Sequence, residues 1–589
     1  MTSETRSVHP KKYLYRLLSD LAGKLYLEHK TSVMPSVEIS VPEEKFGDFS
    51  TNLAMRFAKI MAENPKTIAE NFANRVKAMD TENYFDVIEP MGGFVNFKLS
   101  KTYLLKNLQN ILQQGELYGC SLSGEGKTII VEYFQNNVAK PPHVGHLRSA
   151  VIGDCLLRIF RSQGYKAISD THIGDWGVQF GILIYAYKEF IKGGGKKEEI
   201  EKDPINELNK LYVELSAKIE ADAALREKGK EEFIKLEKGN AENRELWQWF
   251  VRVSLEDFET YRKLLDVLPF DHNLGESFYE DKMPKVLEEL KNKHLVKTGE
   301  TGEQYVDLEE QGLGRCILVK SDGGTTYHLR DFATYIYRKE QFNFLKNIYV
   351  VDNRQSHHFA QLFKVLELAG YPTIDDSQHV DLGFMSLPEG AISTRKGTII
   401  SLQNLINEAR SRALKIIEDK NPDLPNKVAI SQQVALAAIK YFDLSHNRKS
   451  EIIFTWDKAL SFEGNTGPYL QYTHARIHGI LRKGSRFEVT GSSLTPNTLH
   501  LAPPELSILR KLVQFPEIVS QVTQDYFPNN LCIYLFELSQ SFNSFYQEIS
   551  VLQEKDEKLK TFRLALITAT AQVISNGLYL LGIEAPEEM

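Results

Sequence analysis

The sequence predicts an α/β protein built on a doubly wound parallel sheet with a helical insertion, preceded by a smaller α/β domain and followed by an all-α region. Three observations lead there. "GEGKTIIVEYF", "VGHLRSAVIGDCLLRIFRSQG" and "YKAISDTHIGDWG" succeed one another as glycine-bounded buried strand, apolar-faced helix and second strand, the opening unit of such a sheet. Strand-like runs return in "GRCILVK", "NIYVVD" and "HVDLGFM" after a long, charged helical stretch. Beyond residue 400 the pattern is almost wholly helical. A chain of 589 residues is also long for one core and suggests three or four domains at about 150 residues each.

Residues 1–120 show a mixed α/β pattern, in which Asn64 and Pro65 form an N-cap and N1 pair before "KTIAENFANRVKAM" and "GGFVNFKLS" reads as extended. Residues 121–400 carry the parallel sheet. Its first helix places apolar residues at 147, 151, 155, 156, 159 and 160 and closes at Gly164. Residues 187–265 are dense in charge at helical spacing and read as an insertion, either a solvated spacer or a surface for nucleic acid. Residues 401–455 connect to a last helical part, 456–589, in which "KGSRFEVTGSSLTPNTLHLAPPE", with Pro503 and Pro504, reads as a long loop.

An apolar share of 42% and a charged share of 25% are ordinary for a soluble globular protein and exclude a disordered or fibrous chain. Cys120, Cys155, Cys316 and Cys532 are far apart, with no zinc-finger or disulfide-framework spacing, which fits a reducing compartment. No apolar run reaches the roughly 20 residues of a membrane helix, and the start lacks a signal-peptide core, so a cytoplasmic location is expected. A formal charge of -7 argues against an all-over polyanion-binding surface but leaves room for local basic strips.

The stretch "AKPPHVGHLRSA" holds the densest chemistry. His143 and His146 lie three residues apart, yet nothing nearby completes a metal shell. A strand end, a Pro-Pro turn and a helix N-terminus instead offer free backbone N–H groups and a partial positive charge to a phosphate, with Gly145 leaving room for close approach. Lys140 and the two imidazoles would then donate to a polyphosphate whose charge grows in the transition state.

His143, Val144, Gly145 and His146 resemble the HIGH signature of class I aminoacyl-tRNA synthetases, and "NVAKPPHVGHLRSAVIGD" is similar to its arginyl version. The resemblance continues through "FGDFSTNLAM", "GGFVNF", "GDWGVQFG", "YHLRDFATYIYR", "VVDNRQSHHFAQLF", "ISTRKG" and "EGNTGPYLQYTHARIHGILRK", and so covers nearly the whole chain. It implies a Rossmann-like catalytic domain at 121–400, an N-terminal tRNA-binding domain and a helical anticodon-binding domain at 456–589. By position in "YHLRD", Asp331 matches the family's guanidinium-binding acid, with Tyr327 one helical turn earlier. A carboxylate grips a planar guanidinium through two parallel hydrogen bonds, a geometry that an ammonium cannot copy. The alternative for Asp331 is an intrahelical ion pair with Arg330 or Arg338. Glu132, Asn137 and Gln355 match the family's other contacts to the amino acid.

The second signature loop departs from the class pattern KMSKS, because "AISTR" lacks its lysines. In the arginyl family a lysine just before the histidine signature takes over the phosphate contact, and Lys140 has that place. The resemblance assigns ATP to Lys140, His143, Gly145, His146 and Lys396, adds Ser393 and Arg395 as donors to the leaving pyrophosphate, and implies Mg²⁺ with the nucleotide but no resident metal. "FQNN" also replaces the family's usual Ser-Ser-Pro-Asn and changes the turn before Asn137. The implied reaction forms arginyl-adenylate and then charges a tRNA, at the 2′-OH first and with tRNA required already for activation. Tyr469, Tyr472, His474 and Arg476, with Gln471 and Arg482 nearby, combine aromatic and basic groups suited to unpaired bases. No editing module, DNA or membrane is implied, and the resemblance points to a monomer. Two alternatives stand beside it: another adenylate-forming nucleotidyltransferase with the same histidine signature, and a non-catalytic RNA-binding relative.

Overall fold

A computed structural model describes residues 9–29, 33–386, 401–484 and 500–589. At its centre lies a four-stranded, all-parallel sheet in the order Ser377–Leu382, Lys346–Asp352, Thr128–Glu132, Lys166–Asp170. The chain enters at Thr128–Glu132, steps outward to Lys166–Asp170 through the helix Val144–Ser162, and later builds the other half of the sheet. The strand order therefore reverses beside Thr128–Glu132. A crevice outside the carboxyl ends of the strands is the expected result.

Both faces of this sheet are covered, and its two central strands, Thr128–Glu132 and Lys346–Asp352, carry the apolar runs "TIIV" and "IYVV". Ile129, Val131, Ile348 and Val350 pack in one core with Val144, Leu147 and Val151 of the histidine helix. Ile130, Tyr349 and Val351 point the other way, into a core with Leu329, Phe332, Phe359 and Leu362 of the helices Tyr327–Phe342 and Ser356–Leu368. The segment "GRCILVK" is a strand, as read, but it belongs elsewhere. Gly314–Val319 closes a separate antiparallel sheet with Val296–Thr298 and Gln304–Leu308. Apolar content alone does not reveal a strand's partner; the tight turns around Gly302 and Gly312, both at positive φ, decide it here.

The N-terminal domain lays the helices Pro10–His29, Leu53–Met61 and Pro65–Met79 with an antiparallel sheet ordered Phe49–Thr51, Phe94–Leu99, Phe85–Met91. Asn64 caps its helix as read, its Oδ1 accepting from Lys66 N at 2.9 Å, with Pro65 at N1. The helical insertion runs through Val178–Lys192, Pro204–Ala221, Ala223–Glu237 and Ala241–Leu264 around its own core of Trp176, Phe180, Phe233, Trp249 and Phe250. Among the described residues the C-terminal region is helical from Leu402 onward apart from the short strand Ile452–Ile453, which pairs with Met385–Ser386. Pro503 and Pro504, read from sequence as loop, instead open the helix Pro503–Asp525, where a missing N–H costs nothing in the first turn.

Arg148 ties the histidine helix to this C-terminal region. It is 2% exposed; its Nε donates to Asp443 Oδ1 at 2.8 Å and its Nη1 to Gly383 O at 2.6 Å and Ser450 O at 2.9 Å. Among the described residues no helix is long and apolar enough to cross a membrane.

Candidate active site

The histidine pair sits at the start of the helix Val144–Ser162, at the carboxyl side of the central strand. His143 is the N-cap: its Nδ1 accepts from Gly145 N at 3.0 Å, and His146 Nδ1 accepts in turn from His143 N at 3.1 Å. This reciprocal cap uses backbone donors that the sequence reading had offered to a phosphate. Gly145 is explained by the same contact, since a Cβ there would lie 2.7 Å from the His143 ring. With Nδ1 accepting, each neutral imidazole carries its proton on Nε2, so both remain donors. Burial lowers the pKa of both histidines, helped by the Lys140 charge, and brings His146 down to about 3. They stay neutral at physiological pH.

Asp331 stands on the helix Tyr327–Phe342, one turn after Tyr327. Its Oδ2 lies 2.5 Å from His358 Nε2 and its Oδ1 3.7 Å from His172 Nε2. Burial pushes this carboxyl up, but the hydrogen bond from His358 and the nearby His172 and Arg330 bring it below its ordinary value. The side chain is still 23% exposed and can be reached. Neither arginine of its own helix pairs with it: Arg330 Nη1 donates to Glu276 Oε2 at 3.0 Å, while Arg338 turns to the sheet. Tyr327 is exposed at the mouth of this site, under the Arg330 guanidinium, and Gln355 is exposed just ahead of the helix Ser356–Leu368.

Glu132 ends the central strand and is 5% exposed. Its Oε1 accepts from Gln135 Nε2 at 3.0 Å; Arg338 Nη1 lies 2.6 Å from its Oε2. That second contact is an ion pair outside hydrogen-bond geometry, so Oε2 accepts no hydrogen bond. Arg338 Nη2 also donates to Asp170 Oδ2 at 2.8 Å, joining the ends of two neighbouring strands. Asn137 is exposed and bridges to Gly174, whereas Asn136 is buried with Oδ1 unpartnered. His172 Nδ1 and Tyr279 OH are likewise buried without a partner. Glu132 Oε2, Asn136 Oδ1, His172 Nδ1 and Tyr279 OH are thus buried polar atoms open to a further hydrogen bond. Lys140 points its Nζ at the ring of Tyr212, 5.0 Å from the centroid, and burial lowers its pKa. Ser393, Arg395 and Lys396 lie outside the described residues.

Three family models cover the chain in succession: an arginyl tRNA synthetase N-terminal domain over residues 12–99, a class I (R) tRNA synthetase catalytic domain over 107–456, and a DALR anticodon-binding domain over 470–589. The chain belongs to the arginyl-tRNA synthetase family. Arginine–tRNA ligases of Alkaliphilus metalliredigens and Halothermothrix orenii are 42% and 38% identical, over 93% and 98% of this chain and 94% and 99% of theirs. The crystal structure of the Plasmodium falciparum arginyl-tRNA synthetase superposes with a TM-score of 0.82 at 26% identity, covering 99% of this chain and 100% of that one. The Thermus thermophilus arginyl-tRNA synthetase gives 0.81 at 26%, over 98% and 100%.

Within this arginyl-tRNA synthetase fold, the residues read for nucleic acid separate into two groups. Tyr472 is exposed; Arg476 stacks over it at 4.7 Å and donates to its hydroxyl at 3.1 Å. These two line a cavity of about 460 Å³ together with Tyr546 and Met589. His474 and Gln471 face inward instead. His474 Nδ1 lies 2.9 Å from Pro586 O and Gln471 Nε2 donates to Glu584 O at 2.8 Å, so both anchor the C-terminal tail. Tyr469 is half-buried, its hydroxyl accepting from Asn543. Sequence reasoning also missed His358, His172, Glu276 and the Arg338–Asp170 link. His358, His172, Asp170 and Arg338 all stood inside quoted stretches, but their pairing, like the place of Glu276, becomes visible only when distant segments meet.

Proposed function

We propose that this chain activates L-arginine with ATP and transfers it to a cognate tRNA through the crevice described above. Asp331 carries the reading. A carboxylate held ionised by His358, on a helix packed against the parallel sheet, suits a guanidinium, and the Nε2–H imidazoles of His143 and His146 at the carboxyl side of that sheet suit a polyphosphate. Asp331 grips the guanidinium with Tyr327 beside it, and Glu132 Oε2, Asn137 and Gln355 orient the α-ammonium and carboxylate. The arginine carboxylate attacks the α-phosphate, and pyrophosphate leaves. His143, His146 and Lys140 donate to the phosphate oxygens as charge builds, while positioning supplies the rest. Ser393, Arg395 and Lys396 complete the pyrophosphate contacts in this proposal.

In this proposal magnesium accompanies ATP, held by the nucleotide's own phosphates. The cavity with Tyr472, Arg476, Tyr546 and Met589 is the proposed seat for unpaired tRNA bases. A monomer in the cytoplasm, its four cysteines outside any disulfide, belongs to the same proposal. ATP–pyrophosphate exchange across the twenty amino acids, with and without tRNA, tests it. Exchange with arginine plus cognate tRNA is the expected result; exchange with a different amino acid would overturn the assignment, and none at all would favour a non-catalytic RNA-binding role.

A further inference from the structure

The helical insertion meets the active site at the turn that launches Lys140. Ala139 is 3% exposed and sits at φ 56°, a left-handed conformation that costs a non-glycine residue energy and needs support from its surroundings. That support comes from the insertion. Ser254, on the helix Ala241–Leu264, accepts from Ala139 N at 2.9 Å, and its own hydroxyl donates to Phe250 O at 2.7 Å, which fixes the lone pair toward Ala139. One turn on, Phe258 packs against Phe134 with ring centroids 4.8 Å apart. Ser254, Asp257 and Phe258 line one small cavity together with Asn136, Asn137 and Lys140. From a second helix, Pro204–Ala221, Tyr212 places its ring 5.0 Å from Lys140 Nζ.

We propose that the insertion is a positioning element for adenylate formation: Ser254 holds the Ala139 turn, and Tyr212 confines the Lys140 ammonium, so that the lysine is aimed before ATP arrives. The inference rests on the assignment of Lys140 as a phosphate contact. It gives the insertion work that neither a spacer nor an RNA surface would do, and it explains how one lysine serves where "AISTR" provides none. A flexible four-carbon side chain loses much of its freedom on binding, and restricting it beforehand lowers that cost.

The test uses the full-length enzyme in ATP–pyrophosphate exchange with arginine and cognate tRNA. Ser254→Ala should raise KM for ATP by about 3- to 10-fold, the range for one lost hydrogen bond, with KM for arginine unchanged. Ser254→Thr, which keeps the hydroxyl, should restore it. Tyr212→Leu should raise KM for ATP by a smaller factor; a fall would mean that the ring competes with ATP for the lysine and would overturn its role here. The deciding measurement is the double variant. In a Lys140→Ala background Ser254→Ala should add nothing, because the group it aims is gone. Additive effects, or a Ser254→Ala enzyme with normal ATP kinetics beside an impaired Lys140→Ala enzyme, refute the positioning role alone. Normal exchange by Lys140→Ala refutes the phosphate assignment beneath it.

Discussion

Asp331→Asn isolates the charge of the proposed guanidinium site. The amide keeps the shape of the carboxylate, so His358 and His172 keep a neighbour, but the ionised acceptor is lost. Removing one partner of a buried charge pair costs about 2–5 kcal/mol. The side chain retains 23% exposure, and water screens part of the loss, which places the expectation at about 2–3 kcal/mol, or roughly 30- to 150-fold in kcat/KM for arginine. The assay is ATP–pyrophosphate exchange with cognate tRNA, varying arginine at saturating ATP, with KM for ATP as the internal control. Citrulline, the neutral ureido analogue, sharpens it: the wild type should reject citrulline strongly, because a carboxylate facing a ureido group is left without its charged partner, and the variant should lose most of that preference. Unchanged arginine kinetics would remove Asp331 from the site. An equal loss for arginine and ATP would show that the substitution disturbed the crevice as a whole.

Three further outcomes follow from the same geometry. Arg338→Ala leaves Glu132 and Asp170 buried without their cation and should cost about 3–5 kcal/mol in chemical denaturation, whereas a loss below about 1 kcal/mol would mean that the pair is not closed in solution. His146, lowered to about 3, and His328 and His474, each lowered to about 4, are neutral when folded and titrate near 6.5 when unfolded; their contribution is complete above pH 6.5 and is lost as pH falls toward 4. Glu276, raised by burial to about 7, acts with the opposite sign between 4.5 and 7, so Glu276→Gln should steepen the acid loss of the urea midpoint, and a shallower loss would contradict the sign. Tyr472→Ala should weaken tRNA binding by about 1–3 kcal/mol, the value of one base stacked on an aromatic ring, with KM for arginine unaltered; filter binding at fixed salt measures it, and unchanged affinity would move the base contact elsewhere.

Much of this architecture was legible in one dimension, for a definite reason. A strand covered on both faces is largely apolar, and the central strands Thr128–Glu132 and Lys346–Asp352 announce themselves that way through "TIIV" and "IYVV". Local chemistry was legible too: Asn64 before Pro65 caps its helix as the pair suggests. What stayed hidden depends on meetings between distant segments. Glu132, Asp170 and Arg338 form one ion network from three stretches of chain, and nothing in any one stretch shows that they meet. His474 misled for the converse reason. It stands between Tyr472 and Arg476 in the chain, but two residues from each it lies on the opposite helix face, where the C-terminal tail covers its ring. The strand "GRCILVK" was identified and assigned to the wrong sheet, because pairing is a property of two segments.

The interlocked cap of His143 and His146 has a consequence for how loss-of-function data at this site should be weighed. Each ring does two jobs with two different nitrogens: Nδ1 fastens the first turn of the helix, and Nε2 faces outward with its proton. Alanine at either position removes both at once, and a lost N-cap alone is worth about 1 kcal/mol of stability. An asparagine replacement, whose side-chain oxygen can still cap, separates them. Whatever activity distinguishes His143→Asn from His143→Ala measures the architecture of the helix start, and what neither variant recovers measures the outward-facing proton.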